Sequence, residues 1–248
     1  MEANNEMNQK NVYLLLGISF VTQATTSLAG GLIGVGPFTA TENMTETMNS
    51  VVSNLNGVYA GILLQIITAM VIIVLGAALY EAGSRANKTA AIIAMGFYFA
   101  EAIITFIDQI LIFAITEVSR QYANSGDAAL IGITKLLFAS KDFTGSIAMI
   151  PFGLGALLFY GLILKANIIP KWLGFWGLIT VPFILVGWIL EAFGISVPFA
   201  LYIPYMPWEW VAGIYILAKR KSLIINRQSY YSLTPYAVRY RSLYVKTK

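Results

Sequence analysis

VVSNLNGVYAGILLQIITAMVIIVLGAALY, residues 51–80, contains no charged side chain. As a single α-helix this run is about 45 Å long, whereas the hydrocarbon core of a bilayer is about 30 Å thick. The helix therefore either tilts or projects from the membrane with its first turns. Similar apolar runs of about 20 residues recur along the chain, and they predict membrane-spanning helices rather than the short alternating strands of a β-barrel.

The composition supports a membrane protein. Of the 248 residues, 58% are hydrophobic and 11% are charged, and the mean hydropathy is +0.71. Soluble domains are far more polar. Cys and His are both absent, which excludes disulfides, thiolate nucleophiles, haem ligation through His and the usual zinc sites. We expect no catalytic residues, metal or cofactor of these kinds and no nucleic-acid partner, since the basic residues flank the apolar runs.

The apolar runs predict an all-α, polytopic transmembrane bundle of about six spans. They cover residues 12–36, 51–80, 89–115, 143–164, 172–193 and 208–218. Residues 37–50 are expected to form a polar loop. Residues 128–142 are predicted to form an interfacial helix, because apolar residues recur at helical spacing there while Lys135 and Lys141 can stay among the headgroups. Pro204 and Pro207 predict irregular backbone before a helix that begins near Trp208.

The distribution of Lys and Arg predicts that both termini lie in the cytoplasm, since positively charged loops stay on that side. The outer side then holds Arg120, Lys135 and Lys141 as its basic residues. We divide the chain into a transmembrane bundle, residues 1–221, and a basic, Tyr-rich cytoplasmic tail, residues 222–248. That tail either adheres to anionic lipid or is a disordered segment whose basic residues only keep it on the cytoplasmic side.

Two segments of the chain resemble a known membrane family. GLILKANIIPKWLG at residues 161–174 is similar to the hallmark "lyrSglvPrwLG" of the prokaryotic family called domain of unknown function 4386, and WEWVAGIYILA at residues 208–218 resembles its closing helix. FYFAEA at residues 97–102 resembles its "fRlvEa" motif, with Tyr98 in place of the expected Arg. The resemblance implies a helical bundle in a prokaryotic plasma membrane. It implies no activity.

Four carboxylic acids are the candidate functional residues, because a charged group near mid-membrane costs about 2.5–3.5 kcal/mol on insertion scales. They are Glu101, Asp108, Glu191 and Glu209. Glu101 and Asp108 lie two helical turns apart, so they share one face of a helix with Tyr98 and Thr105. That face must contact protein or water, and no span core contains a Lys or Arg to neutralise the acids.

The segment that enters the last span adds aromatic candidates. Tyr205 and Trp208 closely precede Glu209 in sequence, and aromatic faces beside a carboxylate suit a cation. We therefore expect a ligand site formed by the four acids with Tyr205 and Trp208. Alternatively, the aromatic residues form an interfacial belt, and Glu101 or Asp108 is a neutral carboxyl hydrogen-bonded to Gln23 or Gln65.

Two hypotheses for the function remain, together with a weaker third. The bundle binds or transports a proton, a cation or a cationic small molecule through an acidic cavity, or it is a non-transporting scaffold or accessory subunit of a membrane complex. An enzyme acting on lipid stays open as the third. The bilayer is the expected environment, and a homo-oligomer or a partner in a membrane complex is compatible with either hypothesis.

The topology can be tested with single cysteines, since the native chain has none. Cysteines that replace Glu46 and Asn124 should react with a membrane-impermeant thiol reagent in intact cells, because both positions are predicted to lie outside. Cysteines at Ser84 and Ser229 should react only after permeabilisation. Reaction at position 84 in intact cells would overturn the six-span topology.

Overall fold

The computed structural model describes residues 2–35 and 43–220, and this part of the chain is helical with connecting turns and no β-strand. The elements are α1 (Glu2–Val35), α2 (Met44–Ser53), α3 (Leu55–Gly83), α4 (Lys88–Ser125), α5 (Ala129–Lys165), α6 (Lys171–Ala192), a 3-10 turn (Phe199–Leu201) and α7 (208–220). The predicted all-α fold is confirmed. The basic, Tyr-rich tail at 222–248 lies outside the described residues.

Five of the helices are long and apolar enough to cross a membrane. They are α1, from Asn11 onward, and α3, α4, α5 and α6. Large apolar side chains on their outer faces stay exposed in the isolated chain, as Ile103, Ile110 and Phe113 do on α4. This pattern indicates a multi-pass membrane protein whose outer faces contact lipid. The sixth predicted span corresponds to α7, and its crossing of the membrane stays a prediction.

The long helices and α7 form a closed ring around a shared core. Helix α1 packs against α3, α3 against α4, α4 against α5, and α5 against α6. Helix α7 closes the ring, because Trp208 at its start lies against Gly177 of α6, and Gly213 lies against Gly17 of α1. Large side chains such as Phe20 and Tyr160 fill the centre.

The prediction of a polar loop at residues 37–50 is wrong for residues 44–50, which belong to helix α2, while residues 37–42 lie outside the described part of the chain. The Asn43 side chain caps this helix by accepting a hydrogen bond from the Thr45 backbone N–H at 3.1 Å. Its buried residues, Thr47, Met48 and Val51, face the neighbouring helices α4 and α5. The run from residue 51 to 80 is therefore interrupted at Asn54, between α2 and α3.

A second correction concerns residues 128–142, which were expected to form a separate interfacial helix. They continue without a break into the predicted fourth span, so that α5 is one helix of 37 residues. Phe138 is buried in a small apolar cluster with Val51, Ile112 and Ile115, so this part of α5 packs against α2 and α4. The helix is about 55 Å long, and with α4 it extends well beyond a bilayer core.

The link between α6 and α7 agrees with the expectation from its prolines. Residues 202–207 form successive turns, and the helix begins at Trp208. Protein covers part of this irregular backbone, since the indole N–H of Trp176 donates a hydrogen bond to the Pro204 carbonyl at 2.8 Å. Such cover is what allows non-helical backbone at membrane depth.

Glycines allow the helices to approach one another closely, as small residues do in other membrane bundles. The tightest approach joins α1 to α3, where a Cβ added to Gly34 would lie 2.8 Å from the Cα of Gly61. Other glycines also lie close to a neighbouring helix: Gly30, Gly153, Gly155, Gly174 and Gly177.

Substitution of Gly34 by Ala should lower the stability of the purified protein by about 1–3 kcal/mol, because the new methyl group forces two backbones apart. Gly31→Ala is the matched control on the same helix, since a Cβ there meets no atom within 4 Å. That control should be neutral or slightly stabilising. Thermal unfolding in detergent measures both, and equal stabilities of the two variants would contradict the close contact.

Candidate functional site

The structure places the four predicted acids around one cavity of about 520 Å³ inside the ring. Glu101 and Asp108 come from α4, Glu191 from the end of α6, and Glu209 from the first turn of α7. Tyr205 also lines the cavity, as the sequence predicts. No Lys or Arg is among the described residues that line it.

The polar stripe of α4 divides between the cavity and the core. Glu101, Thr105 and Asp108 line the cavity. Tyr98 is fully buried and packs edge-on against Phe159 of α5, at 5.1 Å between ring centroids. Glu101 is only 3% exposed, so its carboxyl group points into the bundle. The prediction that this stripe faces the inside of the bundle is therefore confirmed for Glu101.

Glu209 is held in a chain of hydrogen bonds that crosses the bundle. Its Oε1 accepts from the Tyr205 hydroxyl at 2.8 Å and from the Gln23 amide nitrogen at 3.3 Å. The Tyr205 oxygen lies 2.6 Å from the Tyr160 hydroxyl. Since the single Tyr205 hydrogen is directed to Glu209, Tyr160 is the donor in that second bond. Helices α1, α5 and α7 are thus joined through one carboxylate.

Glu191, in the last turn of α6, has its own hydrogen-bond partner. The Tyr202 hydroxyl donates to its Oε1 at 3.0 Å, and the Tyr202 ring stacks on Trp188 at 5.3 Å between centroids. Burial, together with the hydrogen bond to Glu191, raises the pKa of Tyr202 to about 12. The hydroxyl therefore keeps its proton at neutral pH and remains a donor.

Asp108 differs from Glu101 in its electrostatic surroundings. The Gln109 amide nitrogen donates to its Oδ2 at 3.2 Å. On α5, Lys141 is near enough to attract Asp108 and Asp142 is near enough to repel it, and these two side chains pair with each other at 3.2 Å. The charged group that acts on Glu101 is another acid, Glu209. No positive side chain among the described residues acts on Glu101 or Glu209.

Several buried oxygen atoms at the cavity have no hydrogen-bond partner among the described residues. They are Gln23 Oε1, Glu101 Oε2, Asp108 Oδ1 and Gln109 Oε1. All four are acceptors when the acids are ionised. The carboxylates orient the two amide groups, because only an amide nitrogen can donate a hydrogen bond to a carboxylate. The two amide oxygens are therefore the atoms that remain without a partner. Buried acceptors without donors cost about 1–3 kcal/mol each.

Trp208 does not line the cavity, in contrast to the expectation from the sequence. It is completely buried, and its indole N–H donates to the Leu173 carbonyl of α6 at 2.8 Å. Its ring lies against Phe20 and Tyr160, with centroids 5.6 and 3.9 Å away. Trp208 therefore anchors the start of α7, since it faces the core behind the cavity.

The alternative of an interfacial aromatic belt fits some of these residues better than others. Tyr202 and Tyr205 are both 8% exposed, and both donate to carboxylates, so they do not point to lipid headgroups. Trp210 is half-buried at the surface of α7 and donates to the Thr25 hydroxyl at 3.0 Å.

The sequence had suggested Gln23 or Gln65 as a partner of Glu101 or Asp108, but Gln23 bonds to Glu209, and Gln65 to the Ser27 carbonyl.

The sequence did not single out Gln109 or Tyr160. Gln109 carried a usable signal, because a primary amide within an apolar span needs a partner there. Tyr160 carried none, since tyrosines are common in and near membrane spans and only the fold shows which of them reach an acid.

Comparison with known proteins identifies a family but no characterised relative. The family model described as Domain of unknown function (DUF4386) matches residues 15–219. No curated protein and no solved structure matches the chain.

The anchoring role of Trp208 predicts that Trp208→Phe lowers the free energy of unfolding by about 1–3 kcal/mol, because the indole donor and part of the packed volume are lost. Trp172→Phe is the matched control, since that ring is 58% exposed, and it should change stability by less than about 0.5 kcal/mol. Thermal unfolding monitored by circular dichroism compares them. A loss of the same size in both variants would show that Trp208 is not an anchor.

Proposed function

The chain belongs to the DUF4386 family, whose description assigns no activity, and we propose that its cavity binds a positively charged small molecule. The observation that carries this proposal is the charge of the lining. Four carboxylic acids surround one space, and no Lys or Arg is among the described lining residues. A bound cation would offset the repulsion between the acids and the cost of keeping them away from water.

The size and lining of the cavity favour a small organic cation over a bare proton. A volume of about 520 Å³ falls within the range of small-molecule pockets, roughly 300–1,000 Å³. The rings of Trp188, Tyr202 and Tyr205 line the same space as the acids. Aromatic faces attract cations through the ring quadrupole, so these rings add to the effect of the carboxylates.

The scaffold hypothesis explains part of the polar lining. A scaffold uses polar groups to join helices, as Thr26 and Thr68 do through hydroxyl groups 2.7 Å apart. Glu101 Oε2 and Gln109 Oε1 make no such bond within the described part of the chain. Polar groups that hold no helix together and cost stability support a role in binding.

The location and orientation of the site form part of the same proposal. We place the protein in a prokaryotic plasma membrane, with Glu191 and Tyr202, which lie at and after the end of α6, toward the outer side. The excess of Lys and Arg in the opposite loops supports this orientation.

The proposal is tested by thermal unfolding of the purified protein with three probes of similar size: benzylammonium, benzyltrimethylammonium and neutral benzyl alcohol. At least one of the two cations should raise the Tm of the wild-type protein, whereas benzyl alcohol should not. A ligand present at 100 times its Kd stabilises the folded state by about 2.7 kcal/mol.

Three variants locate the effect. Glu101→Gln and Glu209→Gln keep the size of the side chain and remove its charge, so each should reduce the cation-dependent rise in Tm. Glu81→Gln removes a charge from an exposed position and should leave the rise unchanged. If the cations protect all three variants as well as they protect the wild type, the cavity is not a cation site and the scaffold hypothesis is favoured.

A further inference from the structure

The cavity has two chemically different walls. With the exception of Ile72, every lining residue from α1, α3 and α4 is polar. The opposite wall, formed by α5, α6 and residues 197–206, consists mainly of apolar and aromatic side chains, including Phe152, Trp188 and Phe199. Glu191 is the acid on this second wall among the described residues, and it is bound by Tyr202. A ligand that fits both walls has one polar, charged end and one apolar end.

The polar wall specifies what the charged end must contain. Gln23 and Gln109 are 5% exposed and Glu101 is 3% exposed, so each of these side chains is at least nine-tenths buried. Each leaves one oxygen without a partner among the described residues. Since these oxygens are acceptors, a ligand satisfies them only if it brings hydrogen-bond donors. A quaternary ammonium group carries charge but has no N–H to donate.

The position of the charged end follows from the balance of charges. Asp108 is attracted by Lys141 and repelled by Asp142, whereas the charged group that acts on Glu101 is the acid Glu209, with no positive group beside it among the described residues. A positive group therefore gains most between Glu101 and Glu209. Gln23 lies at the same place, since its amide nitrogen donates to Glu209. Its amide oxygen has no hydrogen-bond partner among the described residues.

We propose that the ligand is an amphipathic cation with N–H donors, a primary amine or guanidinium group that carries an apolar or aromatic substituent. Its charged end lies between Glu101, Glu209 and the Gln23 carbonyl oxygen, and its apolar end lies against Phe152 and Trp188. This assignment rests on the proposed function, because it specifies the chemistry of the cation that the cavity binds. It adds that the donors are required as well as the charge.

The test compares dissociation constants of the intact, detergent-purified protein for benzylammonium, benzyltrimethylammonium and methylammonium, measured by isothermal titration calorimetry. Benzylammonium should bind at least about tenfold tighter than benzyltrimethylammonium, because only the former donates hydrogen bonds to the buried oxygens. It should also bind at least about tenfold tighter than methylammonium, which lacks a ring to occupy the apolar wall.

Two variants test the placement without altering a carboxylate. Gly145→Leu adds bulk at the end of the cavity beside Asp108, because a Cβ there has Asp108 Oδ1 as its nearest atom within 4 Å, at 3.9 Å. Asp108 lies two helical turns from Glu101, so benzylammonium should bind this variant as tightly as it binds the control Gly132→Leu on the same helix, where a Cβ meets nothing within 4 Å. Phe199→Ala truncates a side chain that is 65% exposed, and it should weaken benzylammonium binding while leaving methylammonium unaffected.

The possible outcomes separate the two proposals. Equal affinity for the two benzyl cations would overturn the requirement for donors, while cation binding would stand. Equal affinity for benzylammonium and methylammonium would overturn the apolar wall as part of the site. Loss of benzylammonium binding in Gly145→Leu, with Gly132→Leu unaffected, would place the ligand beside Asp108 and overturn the assignment. Absence of binding by every cation would overturn the proposed function itself.

Discussion

Lipid hydrocarbon offers no hydrogen bonds, and this constraint accounts for most of the architecture. The spanning segments are helices because a helix satisfies its backbone internally. Polar side chains have to find partners inside the bundle, which is why Glu209 joins α1, α5 and α7 through Gln23, Tyr205 and Tyr160. The same constraint makes the remaining unpartnered oxygens of the cavity significant, since their partners have to come from inside the bundle.

Closure of the ring by α7 brings the acids together. Glu209 is distant in sequence from Gln23 and Glu101, and it reaches them only because α7 lies between α6 and α1. Trp208 secures the start of that helix by a buried hydrogen bond and by ring contacts with the core. Adjacent residues therefore have different tasks, since Trp208 holds the helix in place while Glu209 presents its carboxyl group to the cavity.

The cavity combines features that a packed core avoids. Buried acids close to one another and amide oxygens without donors each lower the stability of a fold. Proteins retain such features mainly at functional sites. An aromatic wall, in which Trp188 stacks on Tyr202, gives the cavity an apolar side as well as a polar one. The features that lower stability are therefore also the features that would recognise an amphipathic molecule.

The sequence by itself determined the helical membrane fold, the family and the irregular segment before Trp208. These features depend on local composition, the length of apolar runs and the chemistry of proline. Only the tertiary structure decided that α2 is a helix, that α5 is continuous, that Trp208 faces the core and which partner each acid has. Those outcomes depend on contacts between segments far apart in the chain, and a buried tyrosine or amide has the same sequence signal whichever neighbour it reaches.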